Sequence, residues 1–223
     1  MPVWAQAEQA ANSAAPLSVR AYWHNPSHKV AEFYLKDAKG GVAALNLLSD
    51  EIGGKQQTTP VDGLLVLYST PTVDPKHPQV GIAASVAVPK NLKRAIVMIV
   101  PGKANSTPAW RMLLMDDSLA AFPKSESRVV TLTTLETVIE AGEHKLFCKP
   151  GSITAVPPVK TLNEYRMAQT NLYYKKNQSW IAFNECKMKY LDVFRQVFIV
   201  YHSPESTTPE LTILVDQIPA PPK

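Results

Sequence analysis

The chain has 223 residues, of which 45% are apolar and 19% are charged. This composition is typical of a globular protein and excludes disorder of the whole chain, which needs low hydrophobicity and high charge. The net charge of +4 comes from lysines spread along the sequence, whereas nucleic-acid binding needs a basic stripe or cluster. We therefore expect no nucleic-acid partner. No later segment approaches the roughly 20 apolar residues of a membrane span, so we also expect no transmembrane segment.

The first residues are similar to the end of a secretory signal peptide. Ala5 and Ala7 form the small-residue pattern that precedes cleavage, and a polar, Ala-rich stretch follows them. We expect residues 1–16 to be a flexible leader left from such a peptide, and the protein to be secreted or periplasmic. The alternative is an Ala-rich terminus that contains this pattern by chance.

Short apolar runs, many of them bounded by turn residues, follow one another along the rest of the chain. Runs of about four to eight residues at this spacing are typical of β-sandwiches and barrels. Short helical turns are expected only near 49–52 and 162–167. The predicted strands lie at 19–23, 31–35, 42–48, 64–68, 82–88, 95–100, 110–115, 129–132, 137–139, 145–148, 153–156, 169–175, 180–186, 196–201 and 211–215.

An internal repeat predicts two similar halves. The segment 94–100 aligns with 195–201, and continuing without a gap aligns 110–114 with 211–215. Both copies have a continuous apolar strand, a polar loop with Thr-Pro, and another strand.

Two earlier segments, 32–36 and 42–46, are likewise similar to 171–175 and 180–184. A duplicated sandwich unit is the simplest explanation of these similarities. We predict an all-β protein made of two similar immunoglobulin-like β-sandwich halves, the first over 17–122 and the second over 127–219.

The runs 95–100 and 197–201 are apolar at every position rather than alternating. Both faces of such a strand must be covered, one by the opposite sheet of its own sandwich and the other by the second half. The sequence therefore predicts that the two halves are packed together.

With these segments identified, the chain resembles a poorly characterised family of exported bacterial proteins. The resemblance rests on 95–100, 110–123 and 128–132. It implies a β-sandwich or immunoglobulin-like fold in the cell envelope and no known catalytic residues.

The histidines, serines and glycines do not form a recognisable catalytic or metal site. His24 and His28 have the spacing of helical metal ligands, but Pro26 lies between them and breaks a helix. A nucleophile elbow of the form Gly-x-Ser-x-Gly is absent, and the paired glycines lack a following Lys-Ser/Thr. We expect a protein that is not an enzyme and has no metal and no cofactor.

Two pairs of residues have structural interpretations. Asp116 and Asp117 follow a predicted strand and are expected to form a strand-terminating Asx turn, with Asp216 nearly equivalent in the second half. Cys148 and Cys186 form either a disulfide, as an even pair in an exported protein does, or two buried thiols.

The best candidate for ligand binding is a predicted hairpin over 172–183. If its turn centres on Asn177 and Gln178, Lys175 lies opposite Trp180, and alternation puts both on one face with Tyr173. Leu172, Tyr174, Ile181 and Phe183 then share the other face. The first face has the chemistry to stack on a sugar ring or to anchor a protein partner; alternatively, Tyr173 and Trp180 pack against the other half.

These expectations favour a non-enzymatic cell-envelope protein that presents sandwich surfaces to an envelope or surface protein, in adhesion, pilus-type appendage assembly or scaffolding. The alternative is a carbohydrate-binding module that uses the Tyr173, Lys175 and Trp180 face to hold a glycan.

Overall fold

The computed structural model describes residues 15–24, 32–37, 39, 41–48, 51–74, 76–77, 79–102, 107–203 and 205–217. Most of the predicted leader, together with His28, lies outside these residues. The described residues contain no helix, so the helical turn expected near 162–167 is wrong. That segment is instead a turn in which the Asn163 side chain accepts hydrogen bonds from the backbone amides of Tyr165 and Met167. The expected turn near 49–52 lies partly outside the described residues.

Eight strands form the first half of the protein. They are β1 Leu17–Trp23, β2 Tyr34–Lys36, β3 Val42–Ala44, β4 Gln56–Thr58, β5 Leu64–Tyr68, β6 Ile82–Ala87, β7 Arg94–Pro101 and β8 Trp110–Asp116.

Eight further strands form the second half. They are β9 Ser127–Thr131, β10 Thr137–Ala141, β11 His144–Cys148, β12 Ile153–Val156, β13 Met167–Lys176, β14 Ser179–Lys189, β15 Phe194–Tyr201 and β16 Glu210–Gln217.

Both halves are sandwiches with the same topology. In the first half one sheet has the order β4-β1-β7-β8 and the other the order β3-β2-β5-β6; the second half repeats these orders as β12-β9-β15-β16 and β11-β10-β13-β14. The parallel pair β1–β7 of the first half has its counterpart in the parallel pair β9–β15. The prediction of an all-β protein built from two similar, packed sandwich halves is confirmed.

Strand pairing confirms one part of the internal alignment and corrects the rest. Strands β7 and β15, which carry 94–100 and 195–201, are equivalent. The gap-free extension is wrong: Val97 pairs with Leu114 but its counterpart Phe198 pairs with Ile213, so the second copy is two residues shorter at that point. The alignment of 32–36 with 171–175 and of 42–46 with 180–184 is also wrong, because β2 and β3 correspond to β10 and β11 rather than to β13 and β14.

Each sandwich encloses its own apolar core, and a third core lies between the two halves. Alternate residues of β7 divide between two cores: Ala95, Val97 and Ile99 face the first sandwich, whereas Ile96 and Met98 face the second half. Strand β15 is divided in the same way. This explains why both strands are apolar at every position. The fully buried side chain of Phe122, from the connection between the halves, completes the middle core.

A buried cluster of charged residues lies beside the middle core and joins the halves. Arg20, 15% exposed, bonds Asp117 of its own half at 2.8 Å and Asp216 of the other half at 2.7 Å. Arg195 bonds Asp117 at 2.6 Å and also bonds Asp216. We refer to these four residues as the Arg–Asp cluster.

The positive and negative charges of the Arg–Asp cluster compensate each other. Burial disfavours the ionised carboxylate of Asp216, but hydrogen bonds from Arg20 and Arg195 outweigh it, and the pKa of Asp216 is lowered. The sequence predicted the Asx turn correctly for Asp116, whose Oδ1 accepts a hydrogen bond from the Ser118 amide at 2.8 Å. Asp117 has a different role. Its carboxylate is buried and is bonded to Arg20 of its own half and to Arg195 of the other half.

Both cysteines are free thiols. Cys148 lies on β11 and Cys186 on β14, at opposite edges of a four-stranded sheet with two strands between them. Three interstrand spacings alone put their Cα atoms at least about 14 Å apart, whereas a disulfide needs Cα atoms closer than about 7 Å. Of the two alternatives left open by the sequence, the disulfide is therefore excluded; Cys148 is buried and Cys186 is half-buried.

Candidate functional site

The predicted hairpin forms with the expected register. Lys175 of β13 pairs with Trp180 of β14. Asn177 and Gln178 form the turn between them with φ angles of 48° and 68°, and two positive φ angles are the signature of the type I′ turn that suits a two-residue hairpin.

The two faces of the hairpin also follow the prediction. Leu172 belongs to the second sandwich core, and Tyr174 is buried with its ring 6.1 Å from that of Phe183. A bulge between Leu172 and Tyr173 shifts the pairing, so that Tyr173 lies opposite Ala182. Ile181, near the turn, is 38% exposed.

Tyr173, Lys175 and Trp180 lie together on the outer face of the β11-β10-β13-β14 sheet. The inner face of this sheet covers the core of the second sandwich, and the core between the halves is built from the other sheet. The alternative that Tyr173 and Trp180 pack against the first half is therefore wrong.

Phe147 on β11, which was not among the predicted site residues, joins this face. Its ring is 5.9 Å from that of Trp180 at an interplanar angle of 62°, and its side chain is 66% exposed. Val138, which pairs with both Phe147 and Tyr173, is only 2% exposed. We call Phe147, Tyr173 and Trp180, with Val138 beneath them, the aromatic patch.

One signal in the sequence could have indicated Phe147. Within 144–148, Lys145 and Phe147 alternate with Leu146 and Cys148, and this alternation separates an exposed pair from a pair that is half-buried or buried. It does not reveal that β11 and β14 are close enough for Phe147 and Trp180 to touch, since that depends on the pairing order of the sheet.

Charged side chains surround the aromatic patch as ion pairs. Lys145 donates to Glu140 at 2.6 Å, and Lys175 donates to Glu136 at 2.9 Å. The Tyr173 hydroxyl donates to Glu140 at 3.0 Å. Hydrogen bonds first from Lys145 and then from Tyr173 hold the pKa of Glu140 below its usual range, so this carboxylate is an acceptor rather than an acid at neutral pH.

A recess of about 240 Å³ lies beside the aromatic patch, lined by Val138, Glu140, Lys145, Tyr173 and Trp180. Trp180, which lines this recess, is 41% exposed. The recess therefore offers an apolar ring surface next to a carboxylate, an ammonium group and a phenol. Lys175 adds a second ammonium group, 5.9 Å from the centre of the Trp180 ring, at the outer limit of a cation–π contact.

The first half has the same scaffold without the same surface. Its β5–β6 pair carries a bulge between Leu67 and Tyr68, matching that between Leu172 and Tyr173. By this register Tyr68 corresponds to Tyr173 and Ala44 to Phe147, but the β5–β6 pairing ends at Tyr68 and Ile82, before any position that would match Trp180. The aromatic patch is thus particular to the second half.

Comparison with models of known protein families gives no match, and no curated protein matches the chain. The resemblance to exported bacterial envelope proteins therefore stays a prediction. Among the described residues, none lies in a helix that is long and apolar enough to cross a bilayer.

Proposed function

We propose that the protein is a non-enzymatic carbohydrate-binding protein and that the aromatic patch with its recess is the ligand-binding surface. The observation that carries the proposal is the exposed Trp180 indole beside a recess that also contains Glu140, Lys145 and the Tyr173 hydroxyl.

The chemistry of a sugar ring matches this combination. One face of a pyranose presents C–H groups, which stack on an exposed aromatic ring, and its edge presents hydroxyl groups that both donate and accept hydrogen bonds. Glu140 accepts hydrogen bonds and Lys145 donates them. Because these two residues already form an ion pair at 2.6 Å, they are held in place before a ligand arrives, which lowers the entropic cost of binding.

The predicted export is part of the proposal, since extracellular or periplasmic glycans are the ligands that an envelope protein meets. Lys145 and Tyr173 hold the pKa of Glu140 below its usual range, so its ionised carboxylate is available to accept hydrogen bonds from sugar hydroxyl groups. Adhesion or appendage assembly through a protein partner, which the sequence alone favours, stays a prediction.

Affinity electrophoresis in native gels containing soluble polysaccharides tests the proposal. A panel of β-glucan, xylan, mannan and a soluble chitin derivative is run with the wild type, with Trp180→Ala and with the control Val80→Ala, which changes an exposed apolar residue in the β5–β6 connection of the first half. We expect retardation of the wild type by at least one polysaccharide, at least tenfold weaker in Trp180→Ala and unchanged in Val80→Ala. Absence of retardation on the whole panel and on a glycan array would contradict the proposal, as would equal retardation of Trp180→Ala.

A further inference from the structure

Strand β14 is a long, uncovered sheet edge. It has 11 residues and no proline, and it stands at the end of the order β11-β10-β13-β14. Its counterpart in the first half, β6, has 6 residues. Proteins usually keep an edge short or cover it, because its free backbone groups can accept another strand. Within the described residues, no strand pairs with the outer side of β14.

The hydrogen bonds of β14 establish which of its backbone groups are free. The Tyr190 amide donates to the Arg166 carbonyl at 2.9 Å, directly beyond the last pair of β13 and β14. Antiparallel strands alternate between hydrogen-bonded and non-hydrogen-bonded pairs. Cys186 is therefore hydrogen-bonded to β13, whereas Glu185 and Lys187 direct their backbone N–H and C=O groups to the open edge.

The interior of the second sandwich is open to solvent beside this edge. β14 and β16 are the edge strands on the same side of the sandwich. Ile213 of β16 packs on the second core, but Val215, two residues further along the same face, is 55% exposed. Cys186 and Met188 of β14 face the same interior and are only half-buried. A further strand beside β14 would extend the sheet over this opening.

The exposed side chains of β14 carry charges of both signs. Glu185 and Lys187 lie on its outer face, and neither forms an ion pair or a side-chain hydrogen bond with a described residue. A two-fold axis perpendicular to the sheet would pair two copies of β14 antiparallel. A pair centred on Glu185 or on Lys187 brings like charges together at the axis. A pair centred on Cys186 instead sets each Glu185 opposite the Lys187 of the other copy, which is favourable on both sides of the axis.

We propose that β14 pairs antiparallel with β14 of a second copy of this chain, with Cys186 beside the two-fold axis. Glu185 and Lys187 of the two copies then form two hydrogen-bonded pairs, each of which exchanges both N–H···O bonds. The pairing extends over 184–188 and stops at the bulge residue Phe183. The two four-stranded sheets join into one, with both aromatic patches on its outer face. This dimer does not depend on the proposed carbohydrate binding.

Sedimentation analysis of the full chain in reducing buffer, from micromolar to millimolar concentration, tests the proposal. We expect a reversible monomer–dimer equilibrium for the wild type. Glu185→Lys and Lys187→Glu should each raise the dimer Kd about tenfold or more, because like charges then lie opposite each other. An equimolar mixture of the two variants should dimerise again, because each introduced charge then meets its opposite. Lys149→Glu, at an exposed position after β11, is the control for net charge and should leave the Kd unchanged.

Oxidation of the thiols tests the register. Opposite residues of a non-hydrogen-bonded pair have Cα atoms about 4.5 Å apart, within the range of a disulfide. Copper–phenanthroline in air should therefore link dimers of the wild type and of Cys148→Ser, but not of Cys186→Ser. Glu185 and Lys187 are exposed, so the charge variants are expected to fold.

Four results would overturn the proposal. They are a monomer at every concentration, a dimer Kd that neither charge reversal changes, a mixture of the two charge variants that stays monomeric, and oxidised dimers that form equally well in Cys186→Ser.

Discussion

Arg195 of the second half donates a hydrogen bond of 2.6 Å from Nη2 to Oδ1 of Asp117 in the first half. Arg20 makes the reciprocal contact, from Nη1 to Oδ1 of Asp216 at 2.7 Å. Each arginine also bonds the aspartate of its own half. The two halves are therefore joined by charges of both signs as well as by an apolar core.

Removing one carboxylate from the Arg–Asp cluster should destabilise the protein strongly. In Asp216→Ala, Arg20 and Arg195 remain buried with one acceptor fewer, so we expect the free energy of unfolding to fall by about 3–5 kcal/mol. Urea denaturation followed by circular dichroism measures it. The control is Asp192→Ala, which breaks the exposed ion pair with Arg166 and should change stability by less than about 1 kcal/mol. Equal urea midpoints for the two variants would rule out a structural role for the cluster.

The stability of the protein should fall as the pH is lowered from about 6.5 to about 4. The pKa of His24 is lowered to about 4 by burial, whereas an unfolded histidine titrates near 6.5. Across this window the unfolded chain takes up a proton that the folded chain does not, so stability rises with pH and is lost as pH falls, by up to about 3 kcal/mol. Among the described residues, the other charged or titratable groups around the imidazole are Tyr22, Arg111, Tyr201, His202 and Glu210.

Urea denaturation at several pH values checks this. His24→Gln should flatten the dependence between pH 6.5 and 4, while His77→Gln, at an exposed position, should keep it. The lowered pKa of Asp216 acts in a separate window: its contribution is present above about pH 4, the unfolded aspartate value, and is lost as pH falls through the lower folded value. If the free energy of unfolding of His24→Gln depends on pH as steeply as that of the wild type, the effect belongs to other groups.

One residue of the hairpin turn, Gln178, has a backbone conformation that favours glycine. Gln178 has a φ of 68°, a left-handed conformation that costs a side chain-bearing residue roughly 1–2 kcal/mol and glycine very little. Gln178→Gly should therefore raise the free energy of unfolding by about 1 kcal/mol. Lys176→Gly, inside β13, should lower it, because glycine weakens a strand. A lower melting temperature for Gln178→Gly than for the wild type would show that its side chain makes a compensating contact.

Much of the strand content could be predicted because apolar residues cluster between turn residues. The strand that was missed, β4, shows the limit of this signal. Its residues Gln56, Gln57 and Thr58 are all polar, yet Thr58 is fully buried and its hydroxyl donates to the Lys36 carbonyl at 2.7 Å. A strand that satisfies its polar groups by hydrogen bonding leaves no hydrophobic pattern.

The internal repeat was visible only in its most apolar strands. Strands β7 and β15 align because each must be apolar on both faces. The amphipathic strands β2 and β13 are similar in sequence but not in position, since alternation alone produces such matches. Pairing order in the sheet decides equivalence, and it depends on contacts distant in sequence.

The candidate binding site could be predicted only in part, because pairing between strands distant in sequence leaves no local pattern. Tyr173, Lys175 and Trp180 belong to one hairpin, whose register follows from its turn. Phe147 and Glu140 come from β11 and β10, and nothing local indicates that these strands continue the sheet beside β13. Across the halves, the arginine partners of Asp117 and Asp216 lie 78 and 196 residues away along the chain and were likewise beyond local patterns.

The measurement that tests carbohydrate binding most directly is an NMR titration of the four tryptophan indole N–H signals with an oligosaccharide of the best-retained polysaccharide. Trp180→Phe identifies the Trp180 signal. The proposal predicts a saturable shift of this signal, while those of Trp23 and Trp110, which pack on the core of the first half, stay in place. Saturable binding that leaves the Trp180 signal unmoved would contradict the proposed site, and the absence of any shift would contradict the proposed function.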